Sequence, residues 1–583
     1  MSAGNRSVLV ILDSRKSTSR RSADHTVFAA MDHFGVAWEV LDGGDYMGFI
    51  PEYISPRALY VIAHDGGANW LEPDVAGQMA DAVLAGAGLV SFDREVHKWP
   101  NALRRFLPKG SGDARATTGE LRFAEPSFIS LGHESGEEIQ LHEELEVFTL
   151  PREKGWQPVV RDGEGRPVIG AADAQDGRIV VFGTGERLYD EAVYGHVRGI
   201  DGLMWRSLVW AAAKPFPMRC VPPYVTARMD DCNGAHSAFG YVDVMNRFGI
   251  SPNLGLFIDE MGPTDWKAVR RLYDSGGADF SMHAFRDDFY MARPEYEPWT
   301  VLPDKPDLSQ GGTKTRFEGL SLDHNTGLDL PAETIRQNFE RMDGAFSDAG
   351  ITHSRVLNAH FGEVGWRAVP EFLARGVDLP CNNSALGQLY GNQPVWRPRP
   401  YGIRGPTGRH GLIIDRCPQH PEMTFVSMSV SHLGSHMGLD ILSARVPFLD
   451  ESDVPKLDEA AQAGIRNITL GLDALGFGVL FTHEERINVI SPEDWNTVVE
   501  QIMRGLDGWD YECAGREHVG VICKRLFSSA LVRANLTDRG LECELVGQTG
   551  GPSPLTVWEN DGDGCTRRVT DVEPIDDFVK LTV

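Results

Sequence analysis

Short segments that are apolar at nearly every position alternate, over the first 215 or so residues, with segments whose apolar positions recur at helical spacing. SVLVILD, AWEVLD, ALYVIAHD and GLVSFD have no polar face, the pattern of strands covered on both sides. Between them ADHTVFAAMDHFG and PDVAGQMADAVLAGAG have helical spacing, with Gly where each helix would stop. RIVVFG then leads into a helix over Gly199 to Ala213. This alternation predicts a doubly wound parallel sheet with helices on both faces. Lys214-Pro215-Phe216-Pro217 marks its end.

A second strand–helix series runs from Val221 to about Arg525. Its expected strands are VTARMDD, NLGLFID, ADFSMHAF, SRVLNAHF, VDLPCN and FGVLFTHEE. The clearest helix spans Pro331 to Phe346, with Ile335, Phe339, Met342 and Phe346 on one face and Gly350 at its stop. Another follows Ser491, which has capping-box spacing to Asp494. Two stretches rich in Gly, Pro and aromatics, roughly Arg286 to Leu330 and Ser384 to Gly438, interrupt the rhythm as long loops around a site. The last 55 to 60 residues alternate without a helical period and predict a small all-β domain. The organisation expected is an α/β chain in three units, 1–217, 218–525 and 526–583.

Composition narrows the function. The chain has 583 residues, 42% of them hydrophobic and 24% charged, as in an ordinary globular protein. Its formal net charge of −27 opposes phosphate backbones and anionic lipid surfaces, so no nucleic-acid partner and no membrane partner are expected. No apolar stretch approaches the length of a spanning helix. The run from Val8 to Leu12 is too short for a signal peptide, and the eight cysteines form no CxxC pair. A cytoplasmic protein with reduced thiols is the expectation, and homo-oligomerisation is left open.

Unusual polar groups stand where the strands of the second unit end. Asp230 and Asp231 close the first strand, His283 stands on the third with Asp287 four positions on, and His483 ends the last, followed by Glu484 and Glu485. Ligands gather at the C-terminal ends of parallel strands, where the loops converge. Asp and His form the donor set of a divalent metal such as zinc, and a catalytic site needs about three protein ligands and an open position.

These segments resemble the NodB-type polysaccharide deacetylases. VTARMDDCNGA resembles the family's first motif, SMHAFRDDF the second, VLNAHFGE the third and VLFTHEE the fifth, in order over about 300 residues. The resemblance implies a distorted (β/α) barrel that removes an acyl group, N-acetyl first, from an amino sugar or oligosaccharide. It implies Asp230 as general base, His483 as general acid, and Asp231 and His283 as ligands of one divalent metal, zinc first. A backbone N–H near Phe361 would help hold the oxyanion.

The chain departs from the family in places. The second motif has Asp287 where the family has its second His, so the remaining ligand is either His324, from the following insertion, or Asp287. The third motif has Asn358 in place of an Arg that would lower the pKa of the base, with His360 and Glu363 nearby as substrate or proton-handling groups. The fourth motif is not recognisable in PCNNSALG. The first unit resembles class I glutamine amidotransferase-like domains in layout and in its ending FGTGERLYDEAVYGHVRGIDGLMWRSLVWAAA. It has no Cys before Cys220, so no glutaminase nucleophile exists there.

Other readings stay open. Trp396 and Arg399, in VWRPRPYG, can stack on a sugar ring and grip its polar groups, or merely pack their own loop. His410, His420, His432 and His436 are loop or substrate contacts, or a further metal site. A glycoside hydrolase using Asp230 with Glu363 or Glu484 would keep the fold and change the reaction. A carbohydrate-binding protein without catalysis would keep neither metal nor turnover.

Overall fold

A computed structural model of the chain describes residues 4–45, 54–112, 114–234, 237–286, 319–324, 326–381, 407, 414–417, 420–426, 440–442, 457–488 and 490–583. The expected loop residues Asp287, Trp396, Arg399, His410, His432 and His436 lie outside them.

The strand Val8–Leu12 is buried at every position, and its side chains divide between two cores. Val8, Val10 and Leu12 face Phe28, Phe34, Leu203 and Leu208, whereas Leu9 and Ile11 face Val75, Met79 and Val83. This is how a strand with no polar face is satisfied: the helix Asp201–Ala211 and the helical segment before Gly35 cover one side, and Pro73–Leu84 covers the other. Trp38–Asp42, Val8–Leu12, Leu59–Ile62, Gly88–Ser91 and Gly177–Phe182 run parallel in that order. Beyond Gly177–Phe182 the sheet continues with four antiparallel strands, Pro167–Ala174, Trp156–Asp162, Arg115–Phe123 and Glu138–Phe148, which the strand–helix alternation did not predict. The tight turn between Asp162 and Arg166 and the turn at Gln175 are too short for a parallel crossover, so the chain has to double back.

Farther along the chain Asp279–Ala284, Pro252–Phe257, Tyr224–Cys232 and Gly478–His483 form a parallel sheet in that order. The short parallel pair Val356–Leu357 and Leu379–Pro380 extends the arc, joined to Asp279–Ala284 by Ser354 N–H to Phe280 O (2.7 Å) and Ser281 Oγ to Val356 O (2.6 Å). Helices pack on the outside through the stripes the sequence marked. Ile335, Phe339, Met342 and Phe346 of Ala332–Asp348 are buried, as are Trp495, Val498, Val499 and Ile502 of Pro492–Gly505. Ser491 Oγ accepts from Asp494 N–H at 3.0 Å and starts the latter helix.

The last strands build two antiparallel sheets, each completed from elsewhere in the chain. Gly4–Asn5 pairs with Ser529–Thr537, and Phe216–Met218 pairs with Ser553–Asp561. The helix Asp201–Ala211 meets Asp473, which accepts from Gly202 N–H (3.1 Å) and Arg206 Nε (3.3 Å) while its carbonyl accepts from Trp205 Nε1 (2.6 Å). Next to it, Ala474 O accepts from His33 Nε2 at 3.0 Å. Among the described residues no helix is long and apolar enough to cross a membrane.

Candidate metal centre

Neighbouring side chains on a regular strand face opposite ways, so consecutive carboxylates should not serve one site. The strand Tyr224–Cys232 breaks that rule. Its register against Pro252–Phe257 shifts between Met229 and Cys232, and Asp231 adopts a left-handed φ of 58°. Such an irregularity re-aims a side chain at a strand end. Asp230 and Asp231 both come to bear on the rim where His283 and His483 also stand.

Asp231 Oδ1 lies 2.8 Å from His283 Nε2 and 2.8 Å from His360 Nδ1, and the two ring nitrogens are 3.0 Å apart. Both imidazoles are almost fully buried. Burial works to raise the Asp231 pKa, but the charge of His360, hydrogen bonds from both rings and the charge of His483 outweigh it, and the carboxyl is held well below the ordinary range. The opposite nitrogen of His283, Nδ1, lies 2.5 Å from the carbonyl oxygen of Asn358. A carbonyl cannot donate, so Nδ1 carries a proton and donates to it, which turns Nε2 toward the carboxylate and His360. A carboxylate oxygen and two imidazole nitrogens converging this closely are a donor set that fits a divalent cation. Ligands about 2 Å from a tetrahedral zinc stand about 3.3 Å apart, close to the spacing here. Gly255, on the adjacent strand, leaves the room: a Cβ there would stand 2.6 Å from His283 Nδ1 and 2.9 Å from Asn358 Nδ2.

Asp230 has its own cation. Arg228, two positions upstream and therefore on the same face of the strand, binds both oxygens of Asp230, Nε to Oδ1 at 2.6 Å and Nη2 to Oδ2 at 2.7 Å. Burial works to raise the Asp230 pKa; the charges of Arg228, His283 and His483 outweigh it and hold the carboxyl below its usual value. The cation beside Asp230 thus comes from its own strand, where the sequence offers Asn358 rather than a basic residue downstream.

His483 is gripped from the other side. Its Nδ1 lies 2.5 Å from Asp440 Oδ2, Thr482 Oγ1 donates to Asp440 Oδ1 at 2.7 Å, and Arg486 Nε stands 3.2 Å from Oδ2. Burial alone would depress the His483 pKa. The charge of Glu485, the hydrogen bond and charge of Asp440, and Asp231 overcome it and push the ring up to about 10. Burial also raises the Glu485 carboxyl, and Asp231 and Asp440 add to that rise against the pull of His483 and Arg486.

The other residues singled out in the sequence fall around this core. Among the described residues the third member of the convergent group is His360, expected as a substrate group; Asp287, one of the two expected third ligands, lies outside the described residues. His324 sits outside that group: its Nδ1 faces Glu363 Oε1 at 2.9 Å, and its ring stacks on Phe361, which in turn contacts His360. Glu363 is thus engaged with His324 and buried. Asn358 is completely buried, its Oδ1 accepting from Arg228 Nη2 at 2.6 Å. Glu484 is also completely buried and braces the loop after the first strand, accepting from Asn233 N–H (2.8 Å) and Tyr241 Oη (2.6 Å). His420 lies on the strand His420–Val426, its Nδ1 3.7 Å from Glu422. Sequence reading missed Arg228 and Asp440. The first was visible as Arg-x-Asp on a strand; the second has no local signal.

No family model matches the chain, and no curated protein matches it. Among solved structures it is similar to a candidate polysaccharide deacetylase from Mycobacterium smegmatis, at 13% identity over 53% of this chain and 94% of that one, with a TM-score of 0.32. It is similar to PurLQS from Thermotoga maritima at 14% identity over 35% of this chain and 97% of that one, with a TM-score of 0.24. A cytoplasmic protein from Salmonella typhimurium matches at 12% identity over 36% of this chain and all of that one, with a TM-score of 0.27. With TM-scores this low, the functional reading rests on the residues and their geometry.

Proposed function

We propose that the chain is a metal-dependent hydrolase that removes an acyl group, N-acetyl first, from an amino sugar or oligosaccharide. The observation that carries this reading is the convergence of Asp231, His283 and His360 between a carboxylate held ionised and an imidazole held protonated. Environments that push two titratable groups apart in this way mark a base and an acid.

A divalent metal held by Asp231, His283 and His360, zinc first, supplies Lewis acidity toward an acyl carbonyl and toward water. Asp230, fixed through both oxygens by Arg228, accepts the proton that the attacking water loses. His483, with Nδ1 committed to Asp440, gives up the proton at Nε2 to the departing amine nitrogen. A ring pushed up to about 10 is protonated at neutral pH, as a group that gives up a proton must be. Burial of the donors keeps bulk water from competing for the charges. The carbohydrate class of the substrate rests on the resemblance of the four strand-end motifs.

Elemental analysis of the purified chain beside Asp231→Ala, followed by acetate assay on N-acetylated chito-oligosaccharides, tests the reading. One metal per chain, lost in the variant together with acetate release, is the expected result. A chain that stays metal-free after incubation with zinc, cobalt and manganese, or that releases reducing ends without acetate, would sink it.

A further inference from the structure

The guanidinium of Arg228 does more than neutralise Asp230. Nη2 donates to Asn358 Oδ1 at 2.6 Å as well as to Asp230, and Nη1 donates to the carbonyl of Cys381 at 3.0 Å. These acceptors stand at the ends of three strands: its own, Val356–Leu357 and Leu379–Pro380. The group is buried, with Cζ 5.5 Å from the Phe481 ring centroid. Only a planar fork with several fixed donors spans acceptors in so many directions; an ammonium is a point charge on a flexible stem.

Asn358 is the link that matters. Its side-chain oxygen is held by Arg228, and its backbone oxygen receives the Nδ1 proton of His283. Its Nδ2 lies 3.5 Å from Met229 O, one residue before Asp230. One residue therefore ties the cation behind the base carboxylate to the ring that offers Nε2 beside Asp231.

We infer that Arg228 is a positioning residue for the metal centre: through Asn358 it fixes the orientation of His283, so that one guanidinium aligns both the proton acceptor and a metal ligand. This rests on the proposed metal-dependent reading. Partners that orient a ligating histidine through its other ring nitrogen set its tautomer and basicity, and their loss costs about 10–100-fold in metal affinity.

The test is zinc affinity of the full chain, by competition with a chromophoric chelator. The variants are wild type, His283→Ala, Arg228→Lys, Asn358→Ala and the Arg228→Lys/Asn358→Ala pair. Thermal unfolding of each is followed alongside. Wild type should take one zinc and His283→Ala none. Arg228→Lys should lose about 10–100-fold in affinity, and Asn358→Ala, which keeps the backbone carbonyl, about tenfold. The pair should lose no more than the worse single variant, since both cut one path. A role limited to stability moves the unfolding midpoint and leaves the affinity of the folded fraction alone. Affinities within about twofold of wild type in both single variants, or losses that multiply in the pair, overturn the bridge while leaving the metal reading standing. Zinc uptake undiminished in His283→Ala, or absent from wild type, overturns the metal reading and the bridge with it. Should Arg228→Lys not fold, Asn358→Ala decides alone, by the same threshold.

Discussion

Asp440 Oδ2 lies 2.5 Å from His483 Nδ1, although 43 positions separate the two in the chain. A general acid works only while protonated, so in the role proposed for His483 the alkaline limb follows its pKa, which is pushed up to about 10 here. Asp440→Asn keeps the shape and removes the charge. The alkaline limb of kcat/KM for acetate release should move down by about one unit or more. A limb that does not move would remove Asp440 from the acid's support.

Gly255 is the gap into which His283 and Asn358 fit. Gly255→Ala places a methyl carbon 2.6 Å from the ring nitrogen, too close for contact, so the ring has to shift from its place beside Asp231. Overpacking of this kind costs about 1–3 kcal/mol. Zinc titration should show weakened binding together with a lowered unfolding midpoint. Unchanged zinc affinity in a stable Gly255→Ala variant contradicts the geometry drawn for His283.

His33 reports on the contact that its Nε2 makes with Ala474 O, 441 positions away. Burial drives its pKa down, against the hydrogen bond to Ala474 and the charge of Asp201, from 6.5 to about 4. Between those values the unfolded chain binds a proton that the folded chain refuses, so stability rises with pH across that window and falls on acidification. The loss by pH 4 is about 3 kcal/mol. Unfolding free energies at pH 7 and pH 4, compared between wild type and His33→Gln, should show the variant losing less. Parallel losses in both proteins would assign the acid sensitivity elsewhere.

Arg206 and Asp473 form a buried pair across the same contact, with side chains only 6% and 5% exposed. Arg206→Met leaves Asp473 buried without its cation, a change that costs about 3–5 kcal/mol. Urea denaturation measures it directly. The Arg206→Met/Asp473→Asn pair should recover part of the loss. A cost below about 1 kcal/mol in the single variant would mean that Gly202 N–H alone holds the carboxylate.

Legibility of this fold in the sequence followed the range of the interactions. Val8–Leu12 and the stripe Ile335, Phe339, Met342 and Phe346 are periodic and local, and the structure buries each of them. The strands Arg115–Phe123 and Glu138–Phe148 are half-exposed and highly charged, so their alternation was hidden behind the stronger apolar runs. At the site, Asp230, Asp231, His283 and His483 stood out because strand ends converge. His360 did not stand out as a donor. It follows a strand of only two residues and lies in a turn in which Phe361 adopts a left-handed φ of 54°, a direction that no periodicity encodes. Arg228 was readable from its spacing to Asp230. Asp440 was not, because nothing near it in the chain marks which strand it will meet.

Gly4–Asn5 completes a sheet whose other members begin at Ser529. On a ribosome making roughly 5–20 residues per second, that first strand waits on the order of half a minute to two minutes for its partner. Phe216–Met218 waits in the same way for Ser553–Asp561. Both short segments are therefore finished only after the residues from Ser529 on have emerged. A stop codon or proteolytic cut ahead of Ser529 would strand both segments as open edges, far from the lesion and hundreds of residues upstream of it.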